Sequence, residues 1–152
     1  EPTLAKETNK EIASFLKPVV IQARGYLPSN EQAPSGWLKN SNVGGRWANR
    51  YYDQGIARKG ITFKSSPSKP NRNGFQALAS IFNKSAAGAI YETAGRKTIG
   101  GNFVPHLPPL TDSPAGKGRM IYKAWEENQG KATAAVLKAI ETAATKLNAS
   151  AK

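Results

Sequence analysis

The sequence predicts an α+β fold, with helices near both ends of the chain packed on a small, mostly antiparallel β-sheet and long loops between them. Three observations carry this reading. Apolar residues toward both ends recur at the helical period, two stretches in the middle alternate apolar and polar residues around a turn, and 14 Gly and 10 Pro punctuate the rest. A chain of 152 residues can bury a sizeable core, so one domain spanning 1–152 is expected, with loops at about 25–50, 65–74 and 95–118.

The first helix is expected from about Thr3 to Arg24, because Ile12, Phe15, Leu16, Val19, Val20 and Ala23 form one helical stripe. Thr8 with Glu11 fits a capping box, and Thr3 is an earlier N-cap candidate. Pro18 removes a backbone donor inside the stripe and predicts a kink, while Gly25 suits the residue after a helix end. Residues 25–50 keep no period, yet Trp37 and Trp47 need a surface to cover. Ile56 to Ser65 reads as a strand from the alternation around Ile61 and Phe63, 65–74 is turn chemistry, and 75–83 reads as the partner strand. Residues 86–95 predict a short helix ending at Gly95, and 95–118 a second long irregular stretch. The last helix should begin near Arg119, with Met120, Ile121, Ala124 and Trp125 as one apolar group. Gly130 predicts a kink or a break before the stripe resumes at Val136, Ala139, Ile140, Ala143 and Leu147, and the final residues should fray. Loops this long that carry Trp37, Trp47, Phe103, Val104 and Leu107 are expected to be mobile in a free subunit and ordered by neighbouring subunits.

Charge narrows the partners. Lys and Arg number 22 against 10 Asp and Glu, a formal net charge of +12. Within 39–74, Lys39, Arg46, Arg50, Arg58, Lys59, Lys64, Lys69 and Arg72 face Asp53 alone, so this surface should attract polyanions or an acidic protein. Zero Cys excludes disulfides and thiolate chemistry, and a single His excludes multi-His metal cages, so neither a metal nor any other cofactor is expected. No apolar run approaches the roughly 18 residues of a membrane span, and the opening EPTLAKETNKEI lacks a signal-peptide core; a soluble protein with no membrane partner is expected.

Enzymatic activity is not expected. His106 lies in a proline-rich loop, and the adjacent Glu126 and Glu127 point to different helical sectors, which makes them a poor acid–base pair. No nucleophile elbow, dinucleotide fingerprint or P-loop is present, and the glycosylation-type triplets at Asn83 and Asn148 read as chance matches. Arg46-Trp47 and Arg50-Tyr51-Tyr52 interleave cations with aromatics, a pattern that serves single-stranded nucleic acid or a protein interface.

The order of short pieces carries a resemblance: SGW (35–37), GRW (45–47), ARKGI (57–61), AGAIYETAGRK (87–97) and GRMIYKAWEENQGKATAAVLKAIETA (118–143). In that order the chain resembles the neck and tail-completion (head–tail connector) proteins of long non-contractile-tailed bacteriophages, the lambda Z-like group, closest to versions from phages of actinobacteria. The resemblance implies a structural virion protein, assembled in the host cytoplasm as a ring, hexameric or dodecameric, between head and tail, through which genomic DNA passes. It implies head-closure, terminator or tail-tube proteins as neighbours. A tail terminator or head-closure role in the same connector is the first alternative, and a basic nucleic-acid-binding protein the second. The ring contact is expected to be heterologous. Trp37, Arg46, Trp47, Arg50 and Arg58 would lie on one face and Tyr91, Glu92 and Arg96 on the other, with Glu92 meeting an arginine of the 46–58 segment.

Overall fold

The computed structural model describes residues 2–33, 37, 51–97 and 104–150. Its arrangement is α+β. Helix α1 (Pro2–Gly25) and helix α4 (Ile121–Ser150) flank two small antiparallel sheets, β1–β2 and β3–β4, with two short helices between them.

In α1 the predicted stripe faces inward: Ile12, Leu16, Val19, Val20 and Ala23 are all buried. The helix starts at Pro2, so Thr8 and Glu11 sit inside it rather than at its cap, and Pro18 is carried within the helix. At its far end the Arg24 guanidinium donates to the Ile61 carbonyl from Nε (3.1 Å) and Nη2 (2.7 Å), tying α1 to the start of the first sheet.

The first predicted strand proves to be a helix followed by a strand. Asp53 accepts the Ile56 N–H at 2.8 Å and caps helix α2 (Gln54–Gly60), which buries Ala57 and Gly60. Strand β1 (Ile61–Lys64) then pairs with β2 (Ser80–Asn83), placing Ile61 opposite Asn83 and Lys64 opposite Ser80. Seven residues of helix complete barely two turns, too few to show a period. The partner strand is shorter than expected: the ladder ends with Lys64 opposite Ser80, and residues 75–79 bond to the turn, with the Ser68 N–H donating to the Ala77 carbonyl and the Asn71 N–H to the Phe75 carbonyl, both at 2.8 Å. Side chains also close this turn. Asn71 Oδ1 accepts the N–H groups of Asn73 and Phe75, both at 2.9 Å, and Ser68 Oγ accepts that of Ala77 at 3.0 Å.

Helix α3 (Ala86–Thr93) is capped by Ser85, whose Oγ accepts the Gly88 N–H at 2.9 Å, and it gives way at Gly95, where φ is 84°. The stretch expected to be irregular over 95–118 contains a 3-10 turn at Val104–His106 and a hairpin of β3 (Thr111–Ser113) and β4 (Gly116–Gly118). Helix α4 runs through Gly130 unbroken, although glycine there costs about 1 kcal/mol relative to alanine. Packing on α1 through buried Ala132 and Ala139 offsets that cost, as does a polar tie in the second turn of α4. There Glu127 accepts from the Tyr26 hydroxyl and Gln22 Nε2, and Asn128 Nδ2 donates to Gln22 Oε1 at 2.7 Å.

The core joins α1, β1, α3 and the start of α4 around Tyr52, Ile61, Met120 and Val19. Burial raises the Tyr52 phenol well above its ordinary pKa and raises that of Tyr91 as well; the Tyr52 hydroxyl donates to the Pro28 carbonyl at 2.6 Å. A phenol that holds its proton more tightly in the folded than in the unfolded chain stabilises fully below about pH 10, and that stability falls as pH rises further. Urea unfolding should therefore show stability declining above about pH 10. Tyr52→Phe should cost about 1 kcal/mol at pH 7 through the lost hydrogen bond. Its deficit should narrow as pH climbs past about 10; a deficit that widens there would contradict the assignment.

Candidate functional site

Of the residues singled out in the sequence, Trp37 is half-buried, its ring 5.2 Å from that of Tyr52 at an angle of 41°. Arg46, Trp47 and Arg50 lie outside the described residues, as do most of the 25–50 loop and Phe103. Arg58 is exposed on α2. Arg96 is exposed beside the β3–β4 hairpin, where its Nε donates to the Lys117 carbonyl at 2.5 Å and its guanidinium lies 4.8 Å from the centre of the Tyr122 ring.

Tyr91 and Glu92 are placed differently from the expectation. Both are buried, with 3% and 4% of their surface exposed. Glu92 faces the first turn of α4, so its carboxylate meets backbone amides of its own chain rather than an arginine of a neighbour. Its Oε2 accepts the Met120 N–H at 2.6 Å, and its Oε1 accepts that of Tyr122 at 3.0 Å. A carboxylate belongs there, since helix N-termini present free N–H groups and the positive end of the helix dipole.

The reverse contact comes from Arg119, which sequence reading used only as a helix boundary. It is 5% exposed, and its Nη1 donates to the carbonyls of Tyr91 (2.9 Å) and Ala94 (2.7 Å), the last turn of α3. Nε donates to the Pro108 carbonyl at 2.5 Å, drawing in the segment before the hairpin. Burial lowers the Arg119 pKa from the usual guanidinium value, with Tyr91 and Glu92 acting in the opposite sense. A carboxylate from α3 thus caps α4, and a cation ahead of α4 caps α3. Gly118 is part of the device, because a Cβ there would collide with Glu92 Oε1 and the Tyr122 ring.

Two concave surfaces are present, one beside this lock and one away from it. One is an open groove of about 520 Å³ whose walls include Tyr26, Leu27, His106, Leu107, Arg119 and Lys123. The other, about 430 Å³, is almost wholly apolar. It lies between α1 and α4, with Phe15, Leu16, Trp125 and Val136 on the helices and Phe75 and Leu78 at its edge. Phe75 and Leu78 are 67% and 57% exposed. On α4, Leu137 and Ile140 are 57% and 56% exposed, and Leu147 is also open.

Among the described residues no group of three His, Asp or Glu side chains could hold a metal, and no helix is long and apolar enough to cross a membrane. No protein-family model, curated protein or solved structure matches the chain.

Glu92→Ala should cost about 3 kcal/mol in urea unfolding, since it leaves the buried Met120 amide and the part-buried Tyr122 amide without an acceptor and removes the negative charge near Arg119. Glu92→Gln, which keeps one acceptor, should cost about half as much. A loss below about 0.5 kcal/mol for the alanine variant would show that the cap is dispensable.

Proposed function

We propose that the chain is an architectural rather than catalytic protein: a ring-forming subunit of a bacteriophage neck, built into the virion and assembled in the host cytoplasm. The observation that carries this reading is the apolar groove between α1 and α4, edged by the exposed Phe75 and Leu78, together with Leu137 and Ile140, which are exposed on α4. Contiguous apolar surface of this kind on a soluble subunit marks an assembly contact. Ile21 and Ile56, 66% and 54% exposed, lie outside that groove and supply apolar surface elsewhere. Exposed apolar side chains away from the groove leave room for a second, different contact, as the heterologous interface that closes into rings requires. The ordered resemblance along the sequence supports the same reading.

The exposed cations Arg58, Lys59, Lys64, Lys69 and Arg72 favour a second reading, a free nucleic-acid-binding protein. Such a protein would bind duplex DNA as a monomer or dimer with a steep salt dependence. A ring subunit would instead self-associate without DNA.

Light scattering coupled to gel filtration, with negative-stain electron microscopy, separates the two. The purified chain should form closed rings as its concentration rises, and Leu137→Ser with Ile140→Ser should yield a folded monomer. A wild-type chain that stays monomeric at high concentration and binds DNA in that form would overturn the proposal.

A further inference from the structure

The turn between β1 and β2 carries a chemistry that is independent of the assembly reading above. Asn73–Gly74 is the one Asn–Gly step in the sequence, and both residues are exposed. An asparagine side chain is attacked at Cγ by the backbone nitrogen of the residue that follows it, and a side chain on that residue crowds the approach. Gly74 leaves the approach clear: it sits at φ 76°, with open space around it.

The amide groups of most described asparagines are already engaged. Asn30 Oδ1 accepts the Gln54 N–H at 2.8 Å, and Asn83 Oδ1 accepts that of Ser85 at 2.7 Å. Asn128 Nδ2 donates to Gln22 Oε1 and to the Ala124 carbonyl, both at 2.7 Å. Asn71 Oδ1 accepts from the Asn73 and Phe75 N–H groups. Asn9 and Asn148 lie within α1 and α4, where the nitrogen of the next residue is tied into the helix ladder. The Asn73 side chain makes no hydrogen bond among the described residues. Its attacking nitrogen is restrained by one exposed bond, from the Gly74 N–H to the Asn71 carbonyl at 3.0 Å.

We propose that Asn73 deamidates spontaneously in the folded chain and that the product unfastens the turn it belongs to. The Gly74 N–H leaves the Asn71 carbonyl and gives its proton to hydroxide, and the nitrogen attacks Asn73 Cγ. The Cγ–Nδ2 bond then breaks as Nδ2 takes a proton from water and departs as ammonia, which returns the hydroxide. Water opens the resulting succinimide ring. Addition at Cγ gives aspartate, whereas addition at the Asn73 backbone carbonyl breaks its bond to the Gly74 nitrogen and leaves the chain running through Cγ as isoaspartate. One water is consumed and one ammonia released, with no oxidant or reductant. Isoaspartate adds one methylene to the backbone between Asn73 N and Phe75 N, the two donors that share Asn71 Oδ1, so both can no longer be held as they are. Phe75 and Leu78, at the edge of the apolar groove, follow directly on this turn.

Peptide mapping by mass spectrometry of the full chain, aged at neutral and at mildly alkaline pH, tests the proposal. Residue 73 should gain the mass of an NH2 replaced by OH, mostly as isoaspartate and ahead of every other described asparagine. The rate should rise with pH, because the attacking nitrogen must first lose its proton. In guanidinium chloride the same site should react only about fivefold faster, as expected when folding opposes the attack with a single exposed hydrogen bond. Asn71→Ala loosens the turn without touching the Asn–Gly step and should bring the folded rate toward the unfolded one. Asn73→Gln should leave residue 73 unmodified. In the aged wild-type chain, hydrogen exchange at the Phe75 amide should rise while the core amides keep their protection. The proposal fails if residue 73 stays intact in the folded chain while it reacts in denaturant, or if another described asparagine is modified first. It fails equally if Asn71→Ala leaves the rate unchanged or lowers it, or if the isoaspartate form protects the Phe75 amide as well as before.

Discussion

Glu92 and Arg119 stand 27 positions apart in sequence and exchange helix caps, and the architecture around them follows from that exchange. Each buried charge meets backbone groups that a helix end leaves unsatisfied, so the cost of removing it from water is offset by hydrogen bonds that water would otherwise have to supply. The pair also fixes geometry. With α3 ending against the start of α4, the connecting hairpin has one place to lie, and Gly118 allows it to pass without a side chain between Glu92 and Tyr122. Arg119 holds the Pro108 carbonyl as well, so the segment before the hairpin is drawn against the same point.

From that anchored end α4 extends about 45 Å, as a 30-residue helix must, and lies beside α1 from the Asn128–Gln22 contact to Lys146–Glu7. The core gathers near the anchor, around Tyr52, Ile61, Met120 and Val19. Farther along, only the alanine side of α4 is covered: Ala132 and Ala139 are buried while Leu137, Ile140 and Leu147 are not. One constraint thus produces two unlike surfaces. Close to the anchor is a groove with a buried guanidinium in its wall, and away from it lies a long apolar face that a single subunit does not cover.

The terminal helices were legible in the sequence because their stripes are long enough to show a period; Ile12, Leu16, Val19 and Val20 are buried as that period requires. The α+β class and the pairing of the two central strands followed from the alternation at Ile61 and Phe63. Helix α2 was hidden because its signal is one capping residue, Asp53, ahead of only seven helical residues. Of the kink or break expected at Gly130 the break does not occur, since glycine weakens a helix without ending it when packing supports both sides. The roles of Glu92 and Arg119 lay beyond any local rule. Glu92 looks like a solvent-facing helical carboxylate until α4 is brought to it, and Arg119 looks like an ordinary charge before a helix. The long separation between the two leaves no spacing to recognise. Tyr91 misled for a related reason: an aromatic flanked by small residues suits an interface and a core equally well, and here the core holds it.

Amide hydrogen exchange at Met120 and Tyr122 tests the central claim most directly. The first N–H groups of an ordinary helix exchange rapidly, because they have no partner within the helix. If Glu92 locks α4 to α3, the amides of Met120 and Tyr122 should exchange only through global unfolding, with the same opening free energy as the slowest core amides. Fast exchange at both positions in a chain whose core remains protected would show that the two helix ends are not joined, and would contradict the account.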